Sequence, residues 1–190
     1  MSIVLDNVAK AFDGKTVLDG FSLEIKDGET VCIMGPSGCG KTTLFNIMLG
    51  LIKPDGGSVS GMPERAAAVF QEPRLCEDFS LISNVKIAAK KDVAPAEIAA
   101  GLEALGLSEF AGKKVRVLSG GQKQRAAILR AVLSGCGVVL MDEPFKGLDE
   151  GTKEKTMDFV KKAVAGKTCL IITHDRKETE FFSGRIVNMS

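Results

Sequence analysis

At 190 residues the chain has room for one domain, or one core with a small appended lobe. Its 45% hydrophobic and 26% charged content excludes a disordered or fibrous protein. A formal net charge of +1 supplies no field that would draw it to nucleic acid or to an acidic membrane surface, so neither is an expected direct partner.

The N-terminal Met1-Ser2-Ile3-Val4-Leu5-Asp6 lacks the basic start and apolar stretch of a signal peptide. No apolar run approaches the roughly 18 residues of a spanning helix. Five cysteines (Cys32, Cys39, Cys76, Cys136 and Cys169) make an odd set with no CxxC spacing, so neither a zinc site nor a disulfide framework is expected. A reducing cytoplasm is the natural setting, with any attachment to a membrane supplied by another protein.

The first thirty-five residues or so read as short strands joined by turns at Asp13-Gly14 and Asp27-Gly28. Phe21–Ile25 alternates apolar with polar, whereas Thr30–Met34 is a continuous apolar run, the mark of a central buried strand. That run ends in Gly35-Pro36-Ser37-Gly38-Cys39-Gly40-Lys41-Thr42, followed by Thr43 and by apolar residues at helical spacing through Leu51. The string fits G-x-x-x-x-G-K-[ST], whose glycines let backbone N–H groups turn inward around a polyphosphate. The helix that follows points its positive end at the anion. In this pattern Lys41 faces the β- and γ-phosphates and the Thr42 hydroxyl ligates Mg²⁺. Cys39, at a helix start and beside a lysine, is in a setting that favours the thiolate and is expected to be the most reactive of the five.

After Pro54-Asp55-Gly56-Gly57 breaks the chain, a strand is expected at Ala66–Phe70. Residues 72–117 change character to Ala, Leu, Lys and Glu, with helical signals at Pro95–Leu105, and read as a small helical lobe. Leu118-Ser119-Gly120-Gly121-Gln122 then opens a helix with Ser119 as a good N-cap. It is a second helix N-terminus with exposed amides, hence a second anion site without a lysine loop or acid pair of its own. Such a site is best used on another subunit's nucleotide.

Val138–Met141 delivers Asp142 and Glu143 to the carboxyl edge of a sheet, beside the phosphate loop. There Asp142 is placed to hold Mg²⁺ and Glu143 to polarise the water that attacks the γ-phosphate. A helix at Glu150–Val164, a buried strand at Cys169–Thr173 and an edge strand at Arg185–Met189 complete the chain. Strands alternating with helices indicate a parallel sheet covered on both faces. The expected fold class is α/β: a P-loop NTPase with a mainly parallel sheet flanked by helices, an N-terminal antiparallel β region and a small helical subdomain. One unit is expected over 1–190, with its core in 1–71 and 118–190 and its lobe in 72–117.

Leu118–Gln122, about twenty residues before Asp142-Glu143-Pro144, resembles the signature of the ATP-binding cassette (ABC) family, and the resemblance extends along essentially the whole chain. It implies that Phe12 stacks on adenine. It implies that Gln71 senses the γ-phosphate and metal, and that Asp149, in Gly147-Leu148-Asp149, crosses the dimer interface in contact with nucleotide. His174, the only histidine, corresponds to the residue that contacts the γ-phosphate.

The nucleotide set is then Phe12, Gly35, Pro36, Ser37, Gly38, Cys39, Gly40, Lys41, Thr42, Thr43, Ser119, Gly120, Gly121, Gln122 and Asp149. Glu143, His174 and Gln71 form the catalytic set, and Thr42, Gln71 and Asp142 the Mg²⁺ set. The family hydrolyses ATP in a head-to-tail dimer beneath membrane permease subunits, which are expected to contact the Gln71–Leu81 region and the lobe. A solute-binding protein is a further implied partner, and the location is the cytoplasmic face of the membrane.

Phe70–Leu75 and Asp142–Asp149 look like the ATPases of nitrate, sulfonate and taurine importers. The chain departs from some relatives in ending soon after His174, and in a short Gly57–Ala68 segment that suggests a trimmed antiparallel region. Three other readings compete. Soluble cassettes of translation or DNA repair generally carry two cassettes or a coiled-coil insertion. A P-loop kinase or GTPase leaves Leu118–Gln122 and His174 without a job. A non-hydrolysing regulatory cassette sits poorly with Glu143, His174 and Gln71 together.

Overall fold

Two apolar patterns build two sheets in the computed structural model, which describes residues 2–190; Met1 of the expected unit lies outside them. β1 (Ile3–Phe12) and β2 (Lys15–Ile25) form an antiparallel hairpin closed by Asp13-Gly14. Both turn residues have positive φ, 48° and 77°, the geometry whose twist matches the flanking strands and which Asp-Gly accommodates. β4 (Gly56–Ser60) pairs with the other side of β1 to give the order β2-β1-β4. The short strands expected before Thr30 are therefore two long ones, interrupted by register shifts between Leu5 and Ala11.

The second sheet has the order β5-β6-β7-β3-β8, parallel throughout: β5 (Ala67–Val69), β6 (Val138–Asp142), β7 (Thr168–Ile172), β3 (Thr30–Met34) and β8 (Arg185–Asn188). Successive side chains on a strand point to opposite faces, and here both faces are buried. Val31, Ile33, Leu140, Leu170 and Ile172 face α1 (Lys41–Met48) and the antiparallel sheet. Cys32, Val139, Met141, Cys169 and Ile171 face α4 (Gly120–Val132), α5 (Glu150–Ala163) and α6 (Arg176–Phe182). This two-sided burial is why these strands read as unbroken apolar runs.

The lobe holds α2 (Leu81–Ala88) and α3 (Pro95–Ala104), with two short 3₁₀ turns at Ser108–Phe110 and Val115–Val117. Its buried residues, among them Leu81, Val85, Leu102 and Leu107, join the same apolar cluster as Val139 and Met141 of the sheet. α4 is the bridge. α3 comes so close to it that a Cβ on Gly101 would stand 2.4 Å from Leu129 Cδ1. A larger residue at 101 requires the Leu129 side chain to move.

α1 stops at Met48, three residues before the apolar pattern does. Gly50 takes φ 68°, and Leu51 is 55% exposed instead of continuing the apolar stripe. All five cysteines are free. Burial pushes the Cys32 thiol up to about 11 and the Cys169 thiol up to about 12, so both behave as small apolar core residues.

Candidate functional site

The carboxyl ends of β3, β6 and β7 converge on one cleft, because parallel strands deliver their last residues to a single edge. β3 runs into Gly35–Gly40 and then α1. Gly40, at the helix cap, has φ 96°, and a Cβ there would lie 2.8 Å from the Val17 carbonyl oxygen, so the loop presses against β2 where a side chain has no space. No side chain caps α1 and no acid lies in its first turn, so its N-terminal amides are open to an anion. Lys41 is 8% exposed and folds back over the loop, its Nζ donating to the Gly35 and Pro36 carbonyls at 2.8 Å each.

β6 supplies the acids. Asp142, 2% exposed, accepts a hydrogen bond from Thr42 Oγ1 at 2.8 Å. Burial pushes its carboxyl above the ordinary value, Glu143 adds to the effect, and the Thr42 hydrogen bond and the Lys41 charge oppose it. Glu143 turns out of the strand with φ 45° while its N–H donates to the Ile172 carbonyl of β7. Its Oε1 lies 3.1 Å from His174 Nδ1, and its Oε2 faces Lys146 Nζ at 3.1 Å as an ion pair without hydrogen-bond alignment. Burial acts to raise the Glu143 carboxyl, but Lys146 and His174 outweigh it and hold the group below its usual range.

His174 follows β7 and is 66% exposed at its side chain. Its loop is shaped by Thr173, whose Oγ1 donates to Glu178 Oε2 at 2.6 Å and accepts from the Asp175 N–H at 3.0 Å. Lys153 of α5 closes the group, at 2.5 Å from Asp175 Oδ2 and 2.7 Å from Glu178 Oε1.

Gln71 follows β5, exposed, and shares a cleft of about 210 Å³ with Ser37, Gly38, Thr42, Thr43 and Asp142. The segment beside it is pinned by the Arg74 guanidinium, 3.7 Å over the Phe70 ring, which packs edge-on against Phe45. Phe12, at the end of β1, is 43% exposed and has Lys10 Nζ 5.4 Å from its ring centroid. Cys39 is half-buried, with Lys41 Nζ 3.8 Å from Sγ, whereas Cys76 is exposed. Accessibility therefore ranks Cys76 ahead of Cys39, the reverse of the order expected for reactivity.

The remaining expected residues lie elsewhere. Ser119 and Gln122 form a reciprocal cap at α4: Ser119 Oγ accepts from the Gln122 N–H at 3.3 Å, and Gln122 Oε1 accepts from the Ser119 N–H at 2.8 Å. Ser119 and Gly120 are exposed, and none of Ser119–Gln122 lines the phosphate-loop cleft. A Cβ on Gly121 would stand 3.2 Å from Leu148 Cδ2, so this helix start abuts Gly147-Leu148 of the same chain. Asp149 caps α5, accepting from the Thr152 N–H at 3.0 Å, which holds its carboxyl below the ordinary value.

Lys146 and the Lys153–Asp175–Glu178 group were not singled out by sequence reasoning. The i, i+3 spacing of Glu143 and Lys146 was a usable signal; nothing in the sequence pairs Lys153 with residues more than twenty positions away.

A strand–loop–helix phosphate cradle, an acid pair at the next strand end and a histidine beyond it define an ATP-hydrolysing nucleotide-binding cassette. The family model described as "ABC transporter" matches residues 18–146, and the chain belongs to that family. It is an ABC transporter ATP-binding subunit with ATPase activity.

Over 182 residues it is 40% identical to the aliphatic sulfonates import ATP-binding protein SsuB 1 of Pseudomonas syringae pv. syringae (strain B728a), covering 95% of this chain and 77% of that one. It is 37% identical over 204 residues to the spermidine/putrescine import ATP-binding protein PotA of Spiroplasma citri, covering 98% of this chain but 58% of that one. The dimeric structure of the bacterial ABC transporter cassette MJ0796 superposes with a TM-score of 0.86 at 32% identity, covering 98% of this chain and 94% of the other. The same cassette has also been solved as a dimer in a post-hydrolysis state bound to ADP and Pi.

Proposed function

We propose that two copies of this chain close head-to-tail on ATP and drive solute import through a separate membrane permease. The observation that carries this reading is the separation of two anion-ready helix starts: the α1 start lies in the cleft, and the α4 start lies exposed outside it. A second copy, inverted, brings Ser119, Gly120, Gly121 and Gln122 over the first copy's nucleotide, with Asp149 crossing beside them.

In each cleft the loop Gly35–Gly40 cradles the phosphates with Thr43 beside it. Lys41 exchanges its two carbonyl partners for β- and γ-phosphate oxygens, and Phe12 stacks on the base. Glu143 takes the proton of the attacking water, Gln71 reports on the γ-phosphate, and His174 contacts it. The Thr42 hydroxyl, Asp142 carboxylate and Gln71 amide are hard oxygen donors suited to Mg²⁺. Asp142 is a buried carboxylate that, among the described residues, takes a hydrogen bond from the Thr42 hydroxyl alone, which fits a cation beside it. When bound, the cation neutralises phosphate charge.

Residues 1–71 and 118–190 act as the catalytic core, and 72–117 as the lobe that meets the permease. The Gln71–Leu81 segment links the cleft to that lobe, and Phe79 and Ile87, 50% and 64% exposed, offer apolar contacts there. Among the described residues no helix is long and apolar enough to cross a membrane, which accords with peripheral attachment on the cytoplasmic face. The importer names of the relatives support import, with a solute-binding protein as a further component.

Glu143→Gln keeps the side-chain shape but removes the base. Turnover should fall by roughly 10²–10⁴-fold, and the variant should accumulate as a dimer with Mg-ATP and remain monomeric without it. Light scattering reads this directly, and a persistent monomer with bound ATP overturns the sandwich.

A further inference from the structure

We infer that Lys146 is a positioning residue for hydrolysis: it anchors one oxygen of the Glu143 carboxylate so that the other is held toward the attacking water. The inference rests on the reading of Glu143 as the base.

Glu143 leaves β6 in a left-handed backbone conformation (φ 45°), which turns its side chain away from the strand direction. The side chain is 15% exposed and held at two points, Oε1 by His174 and Oε2 by Lys146, each at 3.1 Å. The two oxygens are not equivalent. Oε2 is fully buried with no hydrogen-bond donor aligned on it, and among the described residues the Lys146 ammonium is the charge that faces it. A buried carboxylate oxygen without a counter-charge is costly. Removing the cation therefore favours rotation of the carboxylate into the open cleft, where water solvates both oxygens and neither is fixed. Lys146 lines the same cleft as Lys41, Thr42 and Asp142, and its own side chain is 53% exposed, so little packing depends on it. Its place three residues after the base lets it reach back from the turn that leads to Asp149.

Lys146→Met keeps the length and removes the charge; Lys146→Arg keeps the charge. With Lys146→Met, kcat for ATP should fall about tenfold while the dissociation constant for ATP and the melting temperature stay near the parent values, the signature of an interaction made in the transition state. Lys146→Arg should restore most of the rate. In the Glu143→Gln background the same Lys146→Met change should alter the residual turnover by less than about twofold, because coupled residues do not add. Unchanged or raised kcat in Lys146→Met overturns the inference. So does a loss confined to ATP affinity, or a tenfold loss that persists in the Glu143→Gln background. If Glu143→Gln alone hydrolyses ATP at the parent rate, the base reading fails and this inference falls with it. If Glu143→Gln is inactive and Lys146→Met is not impaired, only the role of Lys146 is lost.

Discussion

The two helix starts proposed to meet phosphate are built in opposite ways. At α1 no side chain caps the first turn: the cap is Gly40, the turn carries no acid of its own, and Lys41 rests on the Gly35 and Pro36 carbonyls. At α4 the chain satisfies part of the start itself, because Ser119 and Gln122 each bond the other's backbone. The first start is uncapped by side chains, with the buried Lys41 and Asp142 beside it. At the second, the reciprocal cap meets the Ser119 and Gln122 N–H groups within the chain and stands exposed to water. The difference teaches that one helix start works within its own chain, while the other can wait, exposed, for a second molecule.

Substitutions at the two starts should therefore separate cleanly. Lys41→Ala removes the cation proposed to face the β- and γ-phosphates and should abolish nucleotide binding by the monomer. Ser119→Arg leaves the cleft untouched, so binding of a fluorescent ATP analogue should match the parent while turnover drops about 10²-fold or more, as for other lost transition-state contacts. Normal turnover in Ser119→Arg would reduce that start to an ordinary helix cap.

A smaller effect, on stability, tests what holds the cleft edge. Lys153→Met leaves Glu178, 5% exposed, without its ammonium partner. Thermal or urea unfolding should show a loss at or below the low end of the roughly 3–5 kcal/mol seen when one partner of a buried pair is removed; no loss would mean that the three charges are independent.

The same measurement made against pH has a defined sign. The Lys153 hydrogen bond holds the Asp175 carboxyl below its ordinary value, and the Arg185 hydrogen bond does the same for Glu29. Groups depressed in the folded state stabilise it above their unfolded pKa values, and that contribution disappears as pH falls through the folded values. Stability should thus drop on acidification below about 4, and less steeply in Lys153→Met.

The smallest effect is a labelling order. Exposed Cys76 should react with a maleimide first and regardless of nucleotide, and half-buried Cys39 later and only when ATP is absent, while Cys32 and Cys169 stay unlabelled. Mass spectrometry reads all of these; Cys39 labelling that ignores ATP would place its thiol outside the nucleotide's shadow.

Elements whose cause is local were legible in the sequence. Thr30–Met34 reads as a buried strand because both faces are covered, and its bounds match those of β3. The Asp13-Gly14 turn and the Ser119 cap depend on residues within a few positions of each other. Elements whose cause is distant were not. α6 was invisible because its seven residues are mostly charged, and its place is fixed by Phe182 stacking on Phe145 and by Glu178 bonding to Thr173. α2 was hidden inside an Ala- and Lys-rich stretch that also holds turns. Leu51 fitted the helical spacing, but Gly50 ended the helix before it.

By itself the sequence determined the phosphate cradle, the acid pair and the order in which they meet, because residue type and strand period act over short distances. Only the tertiary structure decided that the lobe shares its apolar cluster with the sheet, and that Glu143 is held between His174 and Lys146. The first depends on apolar contacts between segments far apart in the chain, and in the second the Lys146 spacing hints at one contact while His174, 31 positions from Glu143, is brought to it only by the fold.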